Sequence, residues 1–152
     1  MFFLVLVLAA CATEAPPEGP DQAAVFAETV DVELVVPAVR NGMRFAVEEV
    51  AAPAGARVRL VMDNTATTSP AMVHNIVVVQ DESSVERVGR AAAGAPGFVP
   101  DDPAVRVYTP LAGPGQRTAV VFTMPPPGRY PFICTYPGHY QLMQGTLVST
   151  PS

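Results

Sequence analysis

Four side chains in this chain of 152 residues form a set with metal-binding chemistry. Cys134, His139 and Met143 stand at Cys-x4-His-x3-Met spacing within residues 130–147. A thiolate, an imidazole and a thioether are soft or borderline donors, suited to copper, which has to be held in two oxidation states. The loop holds no second imidazole, so a further donor must come from upstream, and His74 is the only other histidine. Two histidines and a cysteine in a trigonal set, with a methionine as weak axial sulfur, make the type 1 (blue) copper electron-transfer site. Gln144 is a rival axial group, because glutamine can also fill that position. Taken singly, a cysteine or methionine is more often buried apolar filling. The combination and its spacing carry the reading.

Strands have to bring position 74 beside the loop at 134–143. Residues 30–36 are a β-branched run stopped by Pro37, and Arg40-Asn41-Gly42 signals a turn. Residues 43–50 alternate, with Phe45 and Val47 on one side, and residues 56–62 alternate arginine with apolar side chains. That is the pattern of half-buried strands. Further strands are expected at 74–80, 104–108, 118–122, 129–135 and 145–149, separated by Pro- and Gly-rich turns. One helical window runs over 83–94, where Ser83 and Ser84 can cap and Val85, Val88 and Ala92 recur at helical spacing. About eight strands with one short helical excursion predict an all-β, two-sheet Greek-key sandwich.

Cys134-Thr135-Tyr136-Pro137-Gly138-His139, followed by Met143 and Gly145-Thr146-Leu147, resembles the copper loop of azurins and auracyanins. Upstream, Met72-x-His74-Asn75 resembles their first-histidine segment, and the likeness covers roughly residues 25–150. The resemblance implies a cupredoxin-like fold holding one copper that cycles between Cu(I) and Cu(II). It implies that the Tyr136 backbone amide donates to the Cys134 sulfur, while Pro137 has no N–H to add. It also implies that Asn75 ties the first-histidine segment to the copper loop through Thr135. Azurins have a glycine before the first histidine, whose carbonyl approaches the metal. Val73 stands there in this chain, so a four-coordinate site nearer to auracyanins is expected.

The length suits one domain with a proper core. The absence of tryptophan, the 17 prolines and the short Val, Ala and Thr runs favour β structure over a helical bundle. A net charge of −5 argues against nucleic acid as a partner, which needs a basic patch. Residues 1–10 are apolar and read as a signal peptide; Leu8-Ala9-Ala10-Cys11 looks like a bacterial lipobox in which Cys11 carries the lipid anchor. No Lys or Arg precedes the apolar run, a departure from the usual signal. Residues 11–24 read as the lipidated cysteine and a Pro-rich linker, and 25–152 as the domain. With Cys11 lipidated and Cys134 on metal, no thiol is left for the disulfide that azurins usually carry.

These readings point to a one-electron carrier rather than an enzyme. An oxidase or nitrite reductase needs a further histidine-rich copper cluster, and this chain has only two histidines. The alternative is a copper chaperone or storage protein of the cell envelope. Met72, Pro137, Tyr140 and Leu142 make an apolar rim around His139, the expected electron port, and are read as a docking patch. The partners expected are redox proteins such as c-type cytochromes or membrane oxidoreductases. The chain is expected to be a monomer held outside the cytoplasm by its N-terminal lipid.

Overall fold

The computed structural model describes residues 20–152; the apolar start, Cys11 and most of the predicted linker lie outside the described residues. Among the described residues, eight strands form two sheets. In chain order they are β1 (Val32–Pro37), β2 (Glu49–Pro53), β3 (Arg57–Asp63), β4 (Val77–Val79), β5 (Val105–Tyr108), β6 (Arg117–Thr123), β7 (Gly128–Ile133) and β8 (Gln144–Thr150). One sheet has the order β1-β3-β6 and the other β2-β8-β7-β4-β5. The pairs β1–β3 and β2–β8 are parallel, so the chain crosses between sheets rather than meandering within one. This is the all-β sandwich that the strand pattern predicts.

Val36, Val58, Leu60 and Met62 from the smaller sheet meet Val78, Phe132 and Leu147 from the larger one in a single core. Phe45 packs edge-on against Phe132, with ring centroids 5.1 Å apart. The far face of the larger sheet is covered too. Val77, Val79 and Ile133 pack there against Val85 and Val88 of helix α2 (Glu82–Ala91). Burial on both faces explains why β4 reads as an unbroken Val-Val-Val run rather than an alternation.

Several elements depart from the sequence reading. Helix α1 (Gln22–Ala27) begins inside the stretch read as linker. Its Gln22 amide clasps both backbone groups of Ala119 on β6, accepting at 2.6 Å and donating at 3.3 Å. Helix α1 and Glu28 just after it cover Arg59 on β3, so Arg59 is buried, with Nε donating to the Val25 carbonyl of α1, Nη2 to the Glu28 carbonyl and Nη1 to Glu33 of β1. Residues 43–48 are not a strand. Phe45 makes one isolated bridge to Ala38, and the chain is changing sheets over this span. The strand predicted over 74–80 shrinks to β4, because Ile76 N–H is taken by the Thr109 hydroxyl at 3.0 Å and the Asn75 side chain turns elsewhere. Asp81, not Ser83 or Ser84, caps α2; its carboxylate accepts from Ser84 N–H at 3.1 Å. The helix passes into 3-10 turns at Ala92–Gly94 and Pro96–Phe98.

Candidate metal centre

Pairing in the larger sheet brings the two ligand segments together. β4 and β7 are antiparallel neighbours, with Val77 opposite Ile133 and Val78 opposite Phe132. The start of β4 and the end of β7 therefore lie at the same end of the sandwich. His74 precedes that pair by three residues and Cys134 follows it by one. A bridge fixes His74: its N–H donates to Ala112 at 3.1 Å and its carbonyl accepts from Ala112 N–H at 2.7 Å.

Three donor atoms converge. His74 Nδ1 lies 3.2 Å from His139 Nδ1, and the Cys134 sulfur lies 3.8 Å and 3.6 Å from those nitrogens. A circle through the three atoms has a radius of about 2.1 Å, the length of a metal–imidazole bond and slightly under a metal–thiolate bond. Among the described residues this is the one cluster of three or more histidine, cysteine or acidic side chains able to hold an ion. The donor set and its spacing fit copper held by three strong ligands in a near-planar array. All three residues are buried, His139 at 4% exposure and the other two at 0%.

The loop from Cys134 to Met143 is tied to itself. Cys134 N–H donates to the Met143 carbonyl at 3.0 Å, and the Met143 N–H returns to the His139 carbonyl at 2.9 Å. His139 N–H bonds the Tyr136 carbonyl at 3.0 Å across a turn that needs φ +84° at Gly138. A glycine reaches that conformation without strain. Met143 is fully buried beside Cys134 in the core. Gln144 is exposed, and its amide donates outward to the Tyr140 carbonyl at 2.8 Å, so it does not compete with Met143.

Burial sets the protonation of the donors. It lowers His74 to about 4, with a further push from the charge of His139, and it lowers His139 as well. It raises the Cys134 thiol to about 11, partly offset by the backbone N–H groups of Asn75 and Tyr136, which favour the thiolate. At neutral pH both imidazoles are therefore free bases. The thiol must lose its proton to a metal, which deprotonates coordinating thiols outright. His74 Nε2 is buried with no hydrogen-bond partner among the described residues, which leaves Nδ1 as the nitrogen facing the other donors.

Around the donors, the Asn75 side chain spans both ligand segments. Its Nδ2 donates to Thr135 Oγ1 at 2.9 Å, and its Oδ1 accepts from Thr135 N–H at 2.8 Å. Asn64 is a further contributor that the spacing of the ligand motif does not mark. Its buried amide donates to the carbonyls of Met72 at 2.9 Å and Ala112 at 3.0 Å, fixing the approach to His74 from two sides. Only its place at the end of a strand, before a Thr-rich loop, hints at this.

The profile of copper binding proteins of the plastocyanin/azurin family matches residues 32–149. The chain belongs to that family. It is 34% identical over 148 residues to auracyanin-B of Chloroflexus aurantiacus, covering 93% of this chain and 62% of that protein, so it spans under two thirds of the relative's length. It is 36% identical over 93 residues to outer membrane protein H.8 of Neisseria meningitidis, covering 57% of this chain and 50% of that protein. The structure of dithionite-reduced auracyanin from Roseiflexus castenholzii superposes with a TM-score of 0.71 at 32% identity, over 78% of this chain and 97% of that one. The cofactor of this cupredoxin is one type 1 copper, matched by the His74, Cys134 and His139 donors.

The rim residues do not all face the same way. Leu142 is 63% exposed and Pro137 is exposed, whereas Met72 is half-buried. Tyr140 leans away from them onto α2, against Gly89. A groove of about 660 Å³, lined by Arg44, Phe45, Glu48, Glu82 and Leu142 among others, includes none of the donor residues.

Proposed function

We propose that the chain is a one-electron carrier, with His74, Cys134 and His139 as strong ligands and Met143 as the weak axial one. The observation that carries this is the convergence of three buried donors within 3.8 Å of one another, on a loop cross-tied by its own backbone. Copper held there supplies a single-electron couple between Cu(I) and Cu(II).

The chain's own groups keep that couple fast. The bonds joining Cys134 to Met143, Met143 to His139 and Asn75 to Thr135 hold the donors in one arrangement, so little has to move when the charge changes. The N–H groups of Asn75 and Tyr136 favour the thiolate and so tune the potential. Val73 stands where a smaller residue would let a carbonyl approach, which supports a four-coordinate site. Closure of the site also bears on the chaperone alternative: an exchangeable centre needs exposed donors, and these are buried.

Electrons pass through the His139 edge, in the loop that also carries the exposed Leu142 and Pro137. These residues and Met72 form the contact for transient redox partners such as c-type cytochromes or membrane oxidoreductases. Such interfaces are small and short-lived. A tether at Cys11 outside the cytoplasm would raise the local concentration at membrane partners. No helix among the described residues is long and apolar enough to cross a membrane.

The test is copper loading followed by visible and EPR spectroscopy and voltammetry. A strong thiolate-to-copper band with a reversible couple is expected, and Cys134→Ser abolishes the band. A chain that gives Cu(I) up readily to a chelator, with no stable couple, is a chaperone instead.

A further inference from the structure

The carrier reading leaves unexplained why a helical excursion sits between β4 and β5 and why it ends as it does. Two independent contacts link it to the copper loop. On α2, a Cβ added at Gly89 would lie 2.3 Å from Cγ of the Tyr140 ring and 2.8 Å from Cδ1, so the ring lies flat on the bare helix backbone. Tyr140 is the residue after His139, and it packs against the apolar cluster that includes Val85 and Val88 of the same helix. At the far end of the excursion, the Phe98 ring meets Tyr136 edge-on, with centroids 5.3 Å apart and planes at 79°. The Tyr136 ring in turn lies 5.1 Å from the His139 imidazole.

The backbone at Phe98 is unusual. Phe98 holds φ +57°, directly after Gly97 at +61°. A bulky residue is a marked outlier in that region, and such conformations persist where surrounding contacts hold them. What the strained turn achieves is to set the Phe98 ring against Tyr136. The excursion thus touches the copper loop three residues before His139 and one residue after it.

We propose that residues 82–98 act as a clamp on the copper loop, with Gly89 and Phe98 as positioning residues that fix His139 through Tyr140 and Tyr136. The clamp restricts the loop whether or not metal is present. Its consequence for electron exchange rests on the carrier reading above.

The test uses the full chain and begins without metal. Amide hydrogen exchange at His139, Leu142 and Met143, whose bonds lie within the loop, should speed up more than twofold and up to about tenfold in Phe98→Ala, the range expected for loss of an edge-to-face aromatic pair. Phe98→Tyr restores the ring and should exchange like the parent chain. Gly89→Ala drives Tyr140 off the helix and should give a similar loss. The double change Gly89→Ala with Tyr140→Ala removes the clash, and should fold while leaving the loop just as open. Amides in the β7–β8 ladder should keep their protection in every variant, which separates a local clamp from general destabilisation.

With copper bound, Phe98→Ala should slow electron self-exchange more than twofold and alter the EPR hyperfine splitting, with Phe98→Tyr near the parent values. Loop exchange and self-exchange within twofold of the parent in Phe98→Ala overturns the proposal, as does equal acceleration throughout the sheet. If the parent chain shows no thiolate band with copper, the carrier reading fails. The metal-free exchange experiment still decides the clamp.

Discussion

Replacing Asn75 by alanine tests whether the two ligand segments are joined where the geometry places the joint. Asn75 and Thr135 are buried, at 0% and 1% exposure, and three contacts of 2.8–3.2 Å connect them. The alanine variant removes the acceptor for Thr135 N–H and the donor to its hydroxyl. A buried polar group left without a partner costs about 1–3 kcal/mol. The hydroxyl can reorient but the amide cannot, so the loss should lie at about 1–3 kcal/mol. Urea unfolding of the copper-free protein, followed by circular dichroism since the chain has no tryptophan, should show a lower midpoint at unchanged slope. Thr135→Val keeps the amide bond and loses only the hydroxyl, so it should cost less. The double variant should show a coupling of about 1 kcal/mol or more. A loss below about 1 kcal/mol for Asn75→Ala, or strict additivity in the cycle, would refute the view that this pair fixes the spacing of His74 and Cys134.

Two further outcomes follow from the same structure. In the metal-free protein His74 has a folded value of about 4 against 6.5 when free, so between those values the unfolded chain binds more protons. Its contribution is full above about pH 6.5 and falls away by about 3 kcal/mol as the pH drops toward 4. Urea midpoints that stay flat across that interval would contradict the neutral, buried imidazole. Gly138→Ala places a Cβ where nothing lies within 4 Å, so its cost is backbone conformation alone, about 1–2 kcal/mol. A thermal melt of the copper-free variant matching the parent would show that the turn does not need φ +84°.

The sequence displayed the donors because their chemistry is unlike anything around them: two histidines in the whole chain, and a cysteine and methionine at fixed spacing from one of them. The strands were visible where one face is buried and the other wet. The pattern misleads where neighbours override it. Arg59 sits on an alternating strand yet is buried, because α1 and Glu28 just after it lie over it, and nothing in residues 56–62 announces that cover. Helix α1 has six residues, too few to form by propensity, and exists through Gln22 gripping β6. Its proline- and acid-rich approach reads as linker. The roles of Asn64 and Phe98 depend on which carbonyl or ring the fold brings near, and this is information about pairs distant in sequence.

Burial acts in the same sense on the donors whose protonation it shifts. It depresses the two imidazoles and raises the thiol, so each favours its neutral form. Protonation of His74 destabilises the metal-free fold progressively as the pH falls from about 6.5 toward 4. For Cys134 the sign is opposite: its folded value of about 11 exceeds the free value of 9.0, so the unfolded chain loses its proton first and stability declines as the pH rises from 9 toward 11. Between these limits the metal-free centre carries no buried charge, and its nitrogens already face the point a metal must occupy. Only the thiol proton has to leave. A site built of acidic side chains at the same depth would hold uncompensated charge until an ion arrived, with a penalty of several kcal/mol per ion. The choice of imidazole and thiol therefore serves the empty fold as well as the loaded one. It lets the sandwich close over its donors before the metal is there, and that closure keeps the geometry from relaxing when the metal's charge changes.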